Sequence, residues 1–559
     1  MIQHRGPISG VAAFGDYVAS AGYDNQVILW EKSTKRALAR SWHDHLANQC
    51  TFSPDGQYLA TASSDYTARI WRVPEMRLVS VLADQADDVE MCAFNPKKPL
   101  IATASLDRMV RVYDYSGKLV NEFAGHTNYV KSVVWTADGN ALISCGDDGS
   151  VKRWSIEANR LIEEIDFNGI QTDTVAVSSR GTIFAGNDEG EIVIIGDGGA
   201  SKLVQAHEAG VKLLVLDSSG AMLVTLSYDR TMRLWAVDGE EMRLLSSTAL
   251  PADVWPRSCA FSGEHQIVFA TFGAKYRTYD YKAESWDEDD VGETFGCNAV
   301  LPRADSTYTV GDAGIVWRDG AELSRLGSLC NFLAGTTSSV ITGGQLGKLF
   351  DAVSGRTIYQ HRSPLNCAAA FVRDGVEHVA VGTYTGEVLI FADDGAGVRH
   401  VSSARVHNNA IKGIAASGRW LFSVGADASA AWQCRESLEV LHRESRAHRQ
   451  IVNGCAALEE SCFATVSRDL HLRIWGADLS RKEFSTPHTH SIKCVASSSD
   501  HRIVATGSYD GTIALFDRDA ESWQTVRPTA GGISNVVYDE RANCFVAGSY
   551  DGQLYRVTL

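Results

Sequence analysis

The chain repeats itself. Five apolar or small residues, a turn carrying an Asp, and an aromatic six positions after that Asp make up LATASSDYTARIW (59–71). The phrase returns as IATASLDRMVRVY (101–113), LISCGDDGSVKRW (142–154), LVTLSYDRTMRLW (223–235), FATVSRDLHLRIW (463–475) and IVATGSYDGTIALF (503–516). The closing aromatics Trp30, Trp71, Tyr113 and Trp154 lie 41, 42 and 41 residues apart. Weaker copies put Ile195, Trp235, Tyr279, Trp317, Phe350, Phe391, Trp432, Trp475, Phe516 and Val557 at the same point, with spacings of 33 to 44. Fourteen units therefore fill the chain. A period of this size calls for a fold that stacks one supersecondary unit on the next.

Inside a unit the pattern is that of strands. In the fourth, VKSVVW (130–135), ALISCG (141–146), SVKRW (150–154) and NRLIEEID (159–166) are short runs rich in apolar and β-branched residues, the first three divided by TADGN and DDG turns. Such runs predict antiparallel hairpins. A four-stranded sheet of forty residues cannot bury both faces alone, whereas radial stacking buries each sheet against the next.

Particular residues then carry a resemblance. Gly125-His126 precedes a first strand, SPDG (53–56) forms an a–b turn, and the b–c turn holds the Asp that leads to the Trp. The chain resembles the WD-repeat β-propeller family over essentially its whole length. That resemblance implies an all-β fold of two seven-bladed propellers, because rings of about four to eight blades are usual. It also implies a hydrogen-bonded tetrad of His, Ser or Thr, Asp and Trp inside a blade. The sets His43/Asp65/Trp71, His126/Asp148/Trp154 and His207/Asp229/Trp235 fit with 22 residues from His to Asp. His448/Asp469/Trp475 fits with 21, and His488/Asp510 with 22, although Phe516 replaces its Trp. Units seven to eleven depart from the pattern, with Gly273, Gly311, Gly344, Thr385 and Ala426 read at the Asp position.

The simple tandem division gives residues 1–292 as the first propeller and 293–559 as the second. A second possibility arises because the last unit ends on its third strand. If residues 1–4 supplied the strand missing there, blade 1 would close the second ring instead. Otherwise that edge stays open to strand addition by a partner. The short Trp317–Phe350 interval is read as a place where a trimmed blade could hide.

Composition narrows the function. The formal net charge of −16 disfavours direct nucleic-acid or acidic-membrane binding. Nothing resembles a secretory signal, and no window approaches a membrane span, so the cytoplasm is the expected location. The acidic run WDEDDVGE (286–293) reads as a solvated loop, and HRESRAHR (442–449) as a local basic exception. None of the twelve cysteines forms a Cys-x-x-Cys pair, so they read as buried thiols, not as zinc ligands or disulfides.

No cofactor, metal or catalytic residue is expected. Ser, His and Asp recur at the blade period, whereas a catalytic set is needed once. The pairs His43-x-His45 and His488-x-His490 fall where a structural His belongs, and the DGGA (197–200) and DDGAG (393–397) stretches are turns with no helix after them. What remains is surface. The residue before the b–c Asp reads Tyr23, Ser64, Leu106, Asp147, Asp188, Tyr228, Phe272, Val310, Gly343, Tyr384, Gly425, Arg468, Tyr509 and Tyr550. Its six aromatics among fourteen exceed the 9% background, and Tyr and Arg dominate binding hot spots. Tyr23, Tyr228, Phe272, Tyr384, Arg468, Tyr509 and Tyr550 are thus the candidate partner-binding residues. The expected function is a protein-interaction scaffold or adaptor. A regulatory or sensor subunit of a multi-protein complex, such as a bacterial defence or signalling system, is the alternative, and filament binding comes third.

Overall fold

Each turn of the repeat becomes one small antiparallel sheet. The structure, a computed structural model, describes residues 2–196, 201–303, 305–395 and 397–558; the DGGA stretch at 197–200, and Ala396 of DDGAG, lie outside the described residues. Thirteen sheets have four strands in simple meander order, and the last has three: Ile533–Asp539, Cys544–Ser549 and Leu554–Thr558. Numbered in chain order, these are blades 1 to 14, with strands a to d. No helix occurs among the described residues, hence none long and apolar enough to cross a membrane.

Burial explains the stacking. Strand b is covered on both faces: Ala141–Gly146 in blade 4 and Cys544–Ser549 in blade 14 are buried at every position. These strands are accordingly runs of small and apolar residues (Ala, Ser, Gly, Cys, Leu, Ile, Val and Phe) without alternation, as strands between two layers must be. Strand d faces water and alternates, as Leu119–Ala124 does. The core therefore lies between blades. Leu59 and Trp71 of blade 2 pack with Val27 and Leu29 of blade 1, and Phe123 of blade 3 with Trp154 of blade 4.

The chain divides into two compact units, Met1–Thr294 and Phe295–Leu559. In the first, strand a of each blade packs on strand a of the next, and strand a of blade 1 (Ile8–Phe14) packs on that of blade 7 (Val254–Ser262). The ring is also closed by a bond, from the Val11 backbone N–H to Ser258 Oγ at 3.0 Å. In the second unit, strand a of blade 14 packs on that of blade 8 (Cys297–Arg303). The Ser534 hydroxyl donates to the Cys297 carbonyl there, and the Val300 N–H donates to Asn535 Oδ1 at 3.2 Å. Each unit is a closed ring of seven blades.

Blade 1 does not close the second ring. Blades 2 and 7 cover its two sides, and the His4 N–H donates to the Ala274 carbonyl of blade 7 at 3.2 Å. Blade 8 is complete despite the short interval. Its strands c and d (Ile315–Arg318 and Ala321–Arg325) are brief and joined by Asp319-Gly320, both at positive φ (52° and 81°), as the tightest hairpin turn requires.

The His4 side chain is buried between Asp24 and Ser20 while its backbone touches blade 7. His4→Ala is expected to destabilise the first ring by about 1–3 kcal/mol. Hydrogen exchange should speed up in Ile8–Phe14 and Tyr17–Gly22, with the second unit unchanged. Unaltered exchange there, or faster exchange in Cys544–Ser549, would contradict this closure.

Candidate functional site

The tetrads are built as a relay. In blade 2 the Trp71 indole N–H donates to Thr61 Oγ1 at 2.9 Å, Thr61 Oγ1 lies 2.7 Å from His43 Nε2, and His43 Nδ1 lies 2.8 Å from Asp65 Oδ2. A neutral ring with its proton on Nδ1 satisfies every member: indole to hydroxyl, hydroxyl to imidazole, imidazole to carboxylate. The other Asp65 oxygen accepts from the Thr67 N–H and hydroxyl, which fixes the b–c turn. Blade 4 repeats the relay through Ser144, with 2.8 Å to Trp154 and 2.7 Å to His126, and His126 lies 2.8 Å from Asp148. Blades 6 and 12 do so through Thr225 and Thr465, with His207 and His448 at 2.9 and 3.0 Å from Asp229 and Asp469. In blade 13, His488 keeps its bond to Thr506 at 2.8 Å but stands 3.7 Å from Asp510.

Two sets escape a search at 21 or 22 residues. Blade 1 holds a full relay in which Trp30 donates to Ser20 at 2.7 Å, and His4 bridges Ser20 (2.7 Å) and Asp24 (2.9 Å). Blade 11 joins His407 to Ser423 at 2.9 Å and to Asp427 at 3.2 Å. Both have a His–Asp separation of 20. Trp432 is not part of the latter. It pairs with Phe422, one residue before Ser423, whereas Trp71 pairs with Leu59, two before Thr61. That shift of one residue turns Trp432 to the opposite face, and its buried indole N–H has no hydrogen-bond partner among the described residues. Blade 10 substitutes another pair, His361 Nε2 to Glu387 at 3.2 Å.

The charges follow from this burial. Burial lowers the pKa of His43 and His448, and the bonds from Asp65 and Asp469 only partly restore it. Burial pushes the carboxyls of Asp148, Asp229 and Asp427 up, but the bonds from His126, His207 and His407 and from neighbouring hydroxyls outweigh it and hold all three at about 2.

A shared backbone bond defines the rim. In all fourteen blades the residue after strand b donates its N–H to the carbonyl just before strand a, as Tyr23 does to Pro7 (2.8 Å), Ser64 to Leu46 (2.9 Å) and Tyr384 to Pro364 (3.0 Å). The same bond corrects three assignments. Asp312, Gln345 and Ala426 hold the rim in blades 8, 9 and 11, by bonds of 3.1, 3.0 and 2.8 Å, in place of Val310, Gly343 and Gly425. Gly311 and Gly344 end strand b, where a Cβ would lie within 2 Å of the Gly296 and Leu329 carbonyl oxygens. The turn positions are consequently Ala313, Leu346 and Asp427, not Gly311, Gly344 and Ala426.

Around the first rim, Tyr23 meets Trp255 edge-on at 5.1 Å, and Trp255 leans on Phe272 at 5.3 Å. Phe272 is itself buried, so it supports this cluster from within. Tyr228 carries the Lys212 ammonium over its ring at 4.7 Å. In the second unit, Tyr509 and Tyr550 stack at 5.6 Å with planes 9° apart, and Lys412 lies over Tyr384 at 5.0 Å. Arg468 is the rim residue of the blade between those of Lys412 and Tyr509. Trp255 was not legible as a rim residue, because two extra residues in strand a of blade 7 bring it there.

Among the described residues no group of three or more His, Cys, Asp or Glu could hold a metal ion. All twelve cysteines are free thiols, and burial pushes Cys297, Cys330, Cys367 and Cys494 up to about 12. The acidic run is less solvated than expected. Asp287 pairs with Lys35 at 2.5 Å and Arg277 at 3.1 Å, and Asp289 pairs with Lys35 at 2.8 Å, which straps blade 7 to blade 1.

Acid is expected to unfold the blades in two stages. His43 and His448 bind a proton more weakly folded than unfolded, so stability is full above about pH 6.5 and falls below it. The depressed carboxylates contribute stability that is present above about pH 4 and lost as the pH falls through about 2. Calorimetric Tm values that stay constant from pH 7 to pH 5 would contradict the first stage. A paired substitution tests the relay itself. Trp71→Phe should cost about 1–3 kcal/mol more than Trp432→Phe, since only the former removes a satisfied buried bond. Equal losses in denaturant titrations would contradict the assignment.

The comparisons with known proteins agree with this geometry. The sequence model "WD domain, G-beta repeat" matches residues 1–31, 37–72, 76–114, 117–155, 200–236 and 481–517. Transcription initiation factor TFIID subunit 5 of Caenorhabditis elegans is 32% identical over 187 residues, which is 33% of this chain and 29% of that protein. Target of rapamycin complex subunit wat1 of Schizosaccharomyces pombe is 25% identical over 234 residues, 40% of this chain and 74% of that one. Serine-threonine kinase receptor-associated protein of Mus musculus is 25% identical over 307 residues, 53% and 83% of the two chains. The chain thus spans under a third of the first of these relatives and more of the other two. The chain carries WD repeats in six matched segments, and its fourteen blades with their repeated relay are consistent with two seven-bladed WD propellers.

Proposed function

We propose that the protein is a non-enzymatic platform that gathers protein partners on its propeller rims. The observation that carries this reading is the contrast at the rim. One backbone bond recurs in all fourteen blades, while the side chain on it ranges from Ala to Arg and Tyr. The fold fixes the backbone there and leaves the side chain to another purpose. Tyr23 with Trp255, Tyr228, Tyr384, Arg468, and the Tyr509–Tyr550 stack are the candidate contacts, because rigid rings cover area at little entropic cost. Phe272 acts as their buried support.

The relatives favour membership of a larger assembly as the form this takes. Two of them are named as subunits, one of a transcription initiation factor and one of a target of rapamycin complex. A regulatory role within such a complex is the second reading. Twelve free thiols, most of them buried, suit a reducing compartment such as the cytoplasm.

The test is affinity capture from the native host with mass spectrometry. The wild type is compared with Tyr509→Asp/Tyr550→Asp and with Tyr23→Asp, each confirmed folded by circular dichroism. A stoichiometric partner lost by at least one variant is the expected result. A partner retained by both would remove the rim from the account, and no partner from the wild type would contradict the platform itself.

A further inference from the structure

Strand a of every blade carries a bulge directly after its first residue, and the bulged side chain decides how a blade is joined to the next. In the second unit Asn298 donates to the Cys330 carbonyl (3.0 Å), Asn331 to Leu365 (2.8 Å), Asn366 to Ile411 (2.6 Å), Asn453 to Ile492 (2.8 Å) and Ser534 to Cys297. Each acceptor is the first residue of strand a in the following blade. The first unit makes this neutral clamp twice, from Ser9 to Ala47 (2.5 Å) and from Asn48 to Val89 (3.0 Å).

Blades 3 to 7 do something else. The same position holds Glu90, Lys131, Asp173, Lys212 and, after the two-residue insertion in blade 7, Arg257. These five charges pair with one another. Lys131 lies 3.7 Å from Glu90, Lys212 lies 2.5 Å from Asp173 and also bonds the rim carboxylate of Asp188, and Arg257 reaches Glu90 of blade 3 at 3.1 Å. Their side chains keep between 14% and 32% of their exposure, so dissolved ions reach them.

We propose that this arc is an ionic latch: in the first ring, charge pairs that electrolyte weakens join blade 3 to blade 4, blade 5 to blade 6 and blade 3 to blade 7, while the second ring is joined by clamps that it does not. A charge pair loses attraction as the Debye length shrinks from about 10 Å at 0.1 M salt to about 3 Å at 1 M. An amide-to-carbonyl bond carries no net charge to screen. The second ring also has Lys412 and Lys493 at the bulge, but its five clamps remain. Ionic strength therefore acts on one propeller and spares the other.

Hydrogen exchange on the full chain tests this at about 0.05 M and about 1 M sodium chloride. Amides in Val89–Phe94, Val130–Trp135, Thr172–Val177 and Val211–Leu216 are expected to exchange at least about threefold faster in high salt, an effect of the kind screening allows. Cys297–Arg303, Cys330–Gly335 and Leu365–Arg373 should not change. Asp173→Asn/Lys212→Asn installs the neutral clamp in blades 5 and 6 and should abolish the salt response there. Equal acceleration in both rings, no acceleration in the first, or a response that persists in the folded variant would each overturn the latch. The wild-type comparison decides the matter even if the variant does not fold.

Discussion

The relay from indole through hydroxyl and imidazole to carboxylate is the interaction on which the blades depend. It lies where strand b is covered by sheets on both sides, so each of its polar groups would be costly if left alone. Four groups taken in order satisfy one another, and the last of them, the Asp, also receives the backbone of its own turn. One arrangement thereby closes the b–c hairpin, anchors the loop from the preceding blade and seats the Trp against its neighbours. Blades 1, 2, 4, 6 and 12 hold it entire. Other blades hold fragments and rely on packing and on the seams of strand a.

Closure then follows from geometry. Because strand b needs cover on both faces, a terminal blade would expose one of them, and a ring is the arrangement that leaves none exposed. The seams differ between the two units: neutral clamps join five of the seven in the second, whereas the first has two such clamps and charge pairs from blade 3 to blade 4, blade 5 to blade 6 and blade 3 to blade 7. Such a difference is not required for closure, since the second unit closes with Asn and Ser alone at five of its seven seams.

Much of this was legible in the sequence because period is a strong signal. The strands of blade 4 fall within one residue of the runs picked out from its residues, and the relays in blades 2, 4, 6 and 12 lie where the family resemblance, with its His-to-Asp spacing, implied them. The failures have physical causes. His4–Asp24 and His407–Asp427 are 20 apart, so a shorter connection hid two His–Asp pairs in plain view. Gly311, Gly344 and Gly425 look like turn residues, yet each ends a strand against a crowded neighbour, and the rim was misplaced by one or two positions in three blades. Trp432 fell on the expected beat but on the wrong face. The bulged position was missed altogether, since a polar residue near the start of a strand looks ordinary until its acceptor in the next blade is seen.

The relay makes a claim about protons that nitrogen NMR can read directly. In selectively labelled protein at pH 8, His43 and His448 should both be neutral with the proton on Nδ1, facing Asp65 and Asp469, and with Nε2 accepting from Thr61 and Thr465. Those chemical shifts would place the hydroxyl and carboxylate on opposite sides of each ring, as the account requires. Rings protonated on Nε2 alone, or on both nitrogens at that pH, would contradict it.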